Sequence, residues 1–76
     1  MSARVPVAAI VTVGNELLYG ETVDTNAAWL ARSLAALGAP VVRKLTVGDV
    51  AGEIQAAVRS TLECADLVLV SGGLGP

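Results

Sequence analysis

A parallel sheet is indicated first by residues 5–13, which read Val-Pro-Val-Ala-Ala-Ile-Val-Thr-Val. The stretch is apolar almost throughout and rich in β-branched side chains, the pattern of a strand that is covered on both faces. Pro6 stands near its start, where a missing backbone N–H is tolerated. We therefore predict that residues 5–13 form a central strand and that Gly14 closes it.

A first helix is indicated between residues 24 and 38. Asp24 or Thr25 can cap its amino end, and Gly38 can end it in a left-handed conformation. Apolar side chains recur along it at steps of three, four and three, which favours one face packed on the sheet. The side chains predicted for that face are Ala27, Leu30, Leu34 and Leu37.

A second strand is indicated at residues 40–47, and it carries two adjacent charges. Arg43 and Lys44 should point to opposite faces, because side chains alternate along a strand. An interior strand would have to bury one charge on each side of the sheet. We therefore place this strand near the sheet edge.

A second helix and a third strand complete the chain. Gly48 and Asp49 turn the chain into the helix, and Asp49 is its predicted N-cap. Residues 66–71, Asp-Leu-Val-Leu-Val-Ser, are typical of a buried strand. The side chains predicted for the buried helix face are Val50, Ile54, Val58, Leu62 and Ala65.

The resulting order of elements, βαβαβ, predicts an α/β fold of three layers. Crossovers between parallel strands are right-handed, and the most apolar strand belongs in the middle, so we predict the strand order 2-1-3. The two helices then lie on opposite faces of the sheet. The loops that begin at Gly14 and Gly72 should line one crevice at the carboxyl ends of the strands.

Composition excludes several functional classes. The net charge is −2 and the five basic residues are scattered, so we expect no nucleic-acid partner. The absence of histidine excludes imidazole bases and histidine metal ligands within these 76 residues. Cys64 is the only cysteine, which excludes an internal disulfide; we expect it to be buried and the protein to be cytoplasmic. No apolar run is long enough to span a membrane.

A glycine-rich turn, Ser-Gly-Gly-Leu-Gly-Pro at residues 71–76, follows the third strand. It matches neither the Walker pattern nor the full dinucleotide-binding pattern. Its position at the end of a parallel strand nevertheless favours phosphate binding by Gly72, Gly73 and Gly75 through backbone N–H groups. The alternative is a strand-ending turn that needs glycine only for positive φ.

Polar residues are concentrated in the loop after the first strand, residues 14–26. A carboxylate there, Glu16 first of all, can hold a divalent cation or a ribose hydroxyl. Asp24 and Asn26 are candidates for nucleotide contact next to Gly14. For Asp24 the competing interpretation is a helix cap, and for Asn26 it is a local hydrogen bond.

Four stretches taken together resemble the amino-terminal domain of the CinA family (competence/damage-inducible protein A). The resemblance runs from about Val7 to the last residue, Pro76, and the combination is much more specific than any one stretch. The stretches are residues 13–20 (Val-Gly-Asn-Glu-Leu-Leu-Tyr-Gly), 24–26 (Asp-Thr-Asn), 46–49 (Thr-Val-Gly-Asp) and 71–76 (Ser-Gly-Gly-Leu-Gly-Pro).

The resemblance implies a molybdopterin-binding-like fold and a metal-dependent ADP-ribose pyrophosphatase activity. It also implies that the parent protein can carry a carboxyl-terminal domain that deamidates nicotinamide mononucleotide. We expect residues 1–76 to be the amino-terminal part of one such domain, with its remainder and any deamidase domain absent. Under the resemblance, the first ligand loop contains Gly14, Glu16, Asp24 and Asn26, and the second contains Gly72, Gly73 and Gly75.

The sequence departs from the family pattern in two places. Asn15 stands where an aspartate is common, which removes one possible metal charge. Under the resemblance, the family pattern continues beyond Pro76 with a threonine and paired aspartates, which are the main catalytic candidates. The catalytic residues are therefore unknown from this chain, and Glu16 is the metal-ligand candidate that remains.

These observations lead to a set of expectations about function. We expect a divalent metal ion as cofactor, ADP-ribose or a related nucleotide as ligand, no membrane partner, and a homo-oligomer. One alternative is a molybdopterin-binding protein of molybdenum-cofactor biosynthesis. The other is a non-catalytic nucleotide-binding or oligomerisation module.

Overall fold

The computed structural model describes residues 5–20 and 24–72. These residues form a three-stranded sheet with helices on both faces. The elements in chain order are β1 (Ala8–Val13), α1 (Asn15–Leu18), α2 (Thr25–Ala36), β2 (Val41–Val47), α3 (Ala51–Leu62) and β3 (Leu67–Gly72).

The sheet is entirely parallel and has the order β2-β1-β3, which confirms the predicted order. Every residue of β1 is buried, as expected of a central strand covered on both faces. The one polar side chain in β1, Thr12, places its hydroxyl oxygen 2.8 Å from that of Thr46 on β2. β1 begins at Ala8 and not at the predicted Val5, which is 62% exposed.

The two longer helices cover opposite faces of β1. Ile10 packs in one cluster with Ala27 and Leu34 of α2, whereas Val11 packs in another with Ala57 of α3. Neighbouring residues of a strand point to opposite faces, so these clusters lie on the two sides of the sheet. The predicted three-layer α/β/α architecture is confirmed.

The predicted face of α2 is right except at its carboxyl end. Leu37 lies one residue beyond the helix and is 82% exposed. The reason is the turn that ends α2: Gly38 has φ +90°, and its N–H bonds to the carbonyl of Ala35. The Ala39 N–H reaches back to the Leu34 carbonyl at 2.9 Å, a Schellman arrangement that brings Ala39 to the core in place of Leu37.

The predicted cap and face of α3 need two corrections. Val50, not Asp49, is the N-cap, and its apolar side chain makes no capping hydrogen bond. Ile54 and Val58 pack against the core as predicted, but Val50 and Leu62 are 54% and 55% exposed. The buried helix residues are Ala57 and Thr61. Steps of four residues drift by roughly 40° each around a helix, so a face predicted from such steps leaves the sheet.

The burial of Thr61 was not predicted from the sequence, because its side chain is polar. It is fully buried, and its hydroxyl donates to the carbonyl of Ala57 at 2.9 Å. A threonine in a helix can satisfy its hydroxyl on the preceding turn in this way. Cys64, expected to be buried, is exposed beyond the end of α3, and its thiol donates to the carbonyl of Thr61.

The two edges of the sheet differ in charge. β2 carries the exposed side chains of Arg43 and Lys44, and its register with β1 shifts between Ala8 and Ala9. Both features discourage pairing with another strand. The strand order places β2 at an edge of the described sheet, which confirms the predicted position. β3 has no charged residue, and its Val70 is exposed. Within residues 5–20 and 24–72, no helix has the length and apolar character needed to cross a membrane.

Candidate functional site

Three glycines lie where the three strands end. Gly14 follows β1, Gly48 follows β2, and Gly72 is the last residue of β3. Gly14 donates its N–H to the carbonyl of Val47, the last residue of β2, at 3.0 Å. The carboxyl edge of a parallel sheet is where such folds bind ligands, and this edge is the candidate site.

A side-chain hydrogen bond joins the two predicted ligand loops across the end of β1. Asn26, in the first turn of α2, donates from Nδ2 to the hydroxyl oxygen of Ser71 at 3.0 Å. Ser71 is the residue of β3 directly before Gly72. A hydroxyl that accepts one hydrogen bond can still donate its own proton. The contact therefore presents a donor at the start of the glycine-rich turn.

Ser71 was not singled out from the sequence, although its hydroxyl directly precedes the glycines. The position of Ser71 in β3 shows why its hydroxyl lies at the site. Ser71 pairs with the buried Thr12 at the end of the central strand. A hydroxyl-bearing residue between a buried strand and a glycine-rich turn is the pattern that could have identified it.

Asp24 is the N-cap of α2, one of the two interpretations that the sequence left open. Its Oδ1 accepts the N–H of Ala27 at 3.0 Å. Its Oδ2 is buried and has no hydrogen-bond partner among the described residues. A buried carboxylate oxygen without a donor is unfavourable, so this atom is an acceptor still to be satisfied.

The loop after β1 contains a short helix that the sequence analysis missed, α1. Four residues are too few for a periodic pattern to be recognised. Gly14 is buried, and its carbonyl accepts the N–H of Leu18 at 3.0 Å. The N–H and the carbonyl of Gly14 are therefore both hydrogen-bonded within the protein, so its N–H is not free to donate to a phosphate as predicted.

Glu16 lies directly over Gly14. A Cβ atom placed on Gly14 would be 2.7 Å from Glu16 Oε1, and the Glu16 side chain is exposed. Its carboxylate is thus near the ends of the strands, as predicted. No three residues among the described Asp, Glu and Cys side chains converge on one point that could hold a metal ion. The described residues alone do not fit a metal centre.

Gly72 is held in a conformation that only glycine adopts easily. Its φ is +91°, and a Cβ atom placed on it would overlap the carbonyl oxygen of Val13. The glycine therefore allows β3 to turn away while it remains paired with β1.

The rest of the glycine-rich turn, from Gly73 to Pro76, lies outside the described residues. Gly73 and Gly75 therefore stay predicted phosphate contacts. The resemblance implies that the main catalytic candidates follow Pro76. The described crevice therefore contains candidates for ligand binding, and no catalytic group is assigned among its residues.

Asn15 contacts the turn after β2. Its Oδ1 accepts the backbone N–H of Asp49, in the turn between β2 and α3, at 3.2 Å. Sequence reasoning did not find this contact, because it joins residues 34 positions apart. The side-chain oxygen of Asn15, which stands where the family commonly has an aspartate, is therefore hydrogen-bonded to the protein backbone.

An apolar groove lies beside the site, between α1, β2 and α3. Its volume is about 390 Å³. Sequence reasoning could not find it, because one wall belongs to the unpredicted α1. The lining residues are Leu18, Leu45, Thr46, Val47, Gly48, Glu53, Ala56 and Ala57.

Comparison with known proteins shows to which family the chain belongs. Residues 9–76 match the family described as "Probable molybdopterin binding domain". The chain belongs to this family. Several curated proteins that are similar to this chain carry the name CinA-like protein.

Two of these relatives show how close the similarity is. The CinA-like protein of Desulfovibrio desulfuricans is 52% identical over 69 residues, which cover 91% of this chain and 16% of that protein. The CinA-like protein of Gemmatimonas aurantiaca is 58% identical over 67 residues, 88% of this chain and 16% of that protein. The chain thus spans about one sixth of the length of the curated relatives that it matches.

A solved structure gives the same result. The crystal structure described as the protein CinA with unknown function from Thermoplasma acidophilum superposes with a TM-score of 0.88 at 49% sequence identity. The match covers 93% of this chain and 42% of that one. The predicted resemblance to CinA amino-terminal domains is confirmed.

Proposed function

We propose that this chain forms the nucleotide-binding part of a CinA-like hydrolase that cleaves the pyrophosphate of ADP-ribose. Water attacks one phosphorus atom, the bridging P–O bond breaks, and AMP and ribose 5-phosphate are released. The observation that supports this proposal most is the Asn26–Ser71 hydrogen bond. It joins the helix after β1 to the glycine-rich turn after β3, at the position where parallel sheets bind phosphates.

Ser71 is proposed to donate to a phosphate oxygen. Its oxygen is occupied by the Asn26 amide at 3.0 Å, which leaves the hydroxyl proton to point at a ligand. The amino end of α2 adds a favourable partial positive charge beside it. Gly72 contributes the positive φ that lets the backbone turn at this point. Gly73 and Gly75 are proposed to supply backbone N–H donors.

Asp24 is proposed to bind a ribose hydroxyl. One of its oxygens caps α2, and the other is buried without a donor in the described part of the chain. A ligand hydroxyl that reached this oxygen would satisfy it, because a carboxylate accepts such hydrogen bonds strongly. Ribose recognition by a carboxylate after a strand has precedent in dinucleotide-binding folds.

The proposed metal requirement rests on the resemblance and on Glu16. The described residues do not form a metal centre, so the roles above use protein groups only. Removal of divalent metal with EDTA, followed by titration with Mg²⁺ or Mn²⁺, tests the requirement. Full activity after exhaustive chelation would contradict it.

The decisive experiment measures the release of AMP. It uses a protein that contains this chain and has the full length of the CinA-like relatives, which we call the full-length protein. We expect Asn26→Ala to lower kcat/KM for ADP-ribose at least about tenfold, because Ser71 without its Asn26 partner no longer directs its hydroxyl proton at the phosphate. A hydrogen bond to a charged phosphate contributes about that factor. Ser33→Ala is the matched control, because it removes a side-chain hydrogen bond to the Trp29 carbonyl on the same helix. No AMP release by the wild-type protein would refute the proposal.

A second candidate function is molybdopterin binding, favoured by the description of the matched family. The same crevice would then hold the phosphate of the pterin. Thermal unfolding with each ligand separates the two functions. Protection by purified pterin and not by ADP-ribose would favour this candidate, whereas binding of ADP-ribose without turnover would favour a non-catalytic nucleotide-binding module.

Two further properties are proposed for the full-length protein. It is a homo-oligomer, and it is cytoplasmic, since a single cysteine suits a reducing compartment. Light scattering of the purified protein and cell fractionation test these properties. A monomer at micromolar concentration would contradict the first, and recovery outside the cytoplasmic fraction would contradict the second.

A further inference from the structure

The turn between β2 and α3 is joined to α1 by one side chain. Asn15 Oδ1 accepts the N–H of Asp49 at 3.2 Å. A Cβ atom placed on Gly48 would lie 2.8 Å from the same oxygen and 3.4 Å from Leu18 Cδ2. A side chain at position 48 would therefore displace the Asn15 amide from its place on this turn.

The contact stabilises the turn that precedes α3. α3 begins after Val50, whose N–H bonds to the Gly48 carbonyl at 2.9 Å. The preceding N–H, that of Asp49, is the group that Asn15 accepts. An amide oxygen from a distant helix thus holds the turn directly before the N-cap of α3.

The hydrogen bond between Asn15 and Asp49 also stabilises α1. This helix has only four residues, and its backbone bonds run from Leu18 N to Gly14 O at 3.0 Å and from Tyr19 N to Asn15 O at 2.9 Å. One helical turn is not stable by itself, because its nucleation cost exceeds the gain from so few hydrogen bonds. α1 depends on contacts outside itself, and Asn15 makes a direct one.

We propose that Asn15 is a positioning residue that fixes α1 on the β2–α3 turn and so fixes Gly14 and Glu16 at the end of β1. The part of this inference that concerns ligand affinity rests on the proposed function. Only an acceptor oxygen is required at Oδ1. Aspartate, which offers the same oxygen at the same distance from the backbone, should replace asparagine, and alanine should not.

The first test is residue-resolved hydrogen exchange in the full-length protein without ligand. Loss of one ordinary hydrogen bond should speed exchange about fivefold. We expect this increase at the amides of Asp49, Leu18 and Tyr19 in Asn15→Ala, and wild-type exchange in Asn15→Asp. Ser33→Ala controls for loss of an unrelated hydrogen bond. Unchanged exchange at these amides in Asn15→Ala would overturn the proposal.

The second test measures ADP-ribose affinity by calorimetry. We expect Kd to rise about threefold to tenfold in Asn15→Ala, in line with a loosened ligand loop, and to stay within about twofold in Asn15→Asp. Faster exchange with unchanged affinity would overturn the positioning role. If the wild-type protein does not bind ADP-ribose, the proposed function fails, and the exchange at Leu18 and Tyr19 still supports or overturns the role of Asn15.

Discussion

Replacement of Gly72 by alanine should destabilise the domain strongly. The residue has φ +91°, and a left-handed conformation costs an alanine about 1 to 2 kcal/mol. The new Cβ atom would also overlap the Val13 carbonyl oxygen, which belongs to the central strand and cannot move freely. Overpacking of this kind costs about 1 to 3 kcal/mol. We expect a total loss of about 2 to 5 kcal/mol, a large part of the stability of a small domain.

Gly38 provides a control with the same backbone conformation and no overlap. Its φ is +90°, and no described atom lies within 4 Å of a Cβ placed on it. Gly38→Ala should therefore cost only the conformational part, about 1 to 2 kcal/mol. The difference between the two variants isolates the contact between Gly72 and the strand β1.

Urea unfolding of the full-length protein and both variants measures these losses. The midpoint for unfolding of this domain should fall further for Gly72→Ala than for Gly38→Ala, by an amount equivalent to at least about 1 kcal/mol at an unchanged m-value. Equal midpoints for the two variants would refute the reasoning. They would mean that the end of β3 can move away from Val13 without cost.

Three further sets of substitutions test the core, the sheet and the helix cap by the same unfolding measurement. Leu34→Ala should cost about 2 to 4 kcal/mol and Leu37→Ala less than about 0.5 kcal/mol, because only Leu34 is buried; similar losses would contradict the helix end described above. Thr12→Val should cost about 1 kcal/mol by unpairing the Thr46 hydroxyl, and the double variant with Thr46→Val should recover part of it. Asp24→Ala should cost about 1 kcal/mol and Asp24→Ser much less, since serine also caps helices; equal losses would argue against a capping role.

The strand order could be predicted because it depends on features that the sequence displays directly. Residues 8–13 are apolar enough to require burial on both faces, and the charges at Arg43 and Lys44 require an edge. The handedness of crossovers then leaves few arrangements. These are local or general rules, and they needed no knowledge of specific contacts.

The errors have a different origin. Leu37 belongs to an apolar repeat, but Gly38 ends the helix before the repeat does, and Ala39 enters the core instead. Asp49 has the right side chain for a cap, but its backbone N–H is held by Asn15 and the helix starts one residue later. In both places, a contact between segments overrides a local preference.

The site could be predicted in part. Its location followed from the two glycine-containing loops at the ends of β1 and β3. The hydrogen bond from Asn26 to Ser71 could not be predicted, because it depends on the angle at which α2 leaves the crevice. The occupied N–H of Gly14 likewise became apparent only from its pairing with Val47.

The central claim is that Asn26 and Ser71 act together to form a nucleotide site. A double-mutant cycle on ADP-ribose affinity, with Asn26→Ala, Ser71→Ala and the double variant in the full-length protein, tests it most directly. We expect each single variant to weaken binding about tenfold and the double variant little more than either one, since coupled residues are not additive. Wild-type affinity in all three variants would contradict the claim.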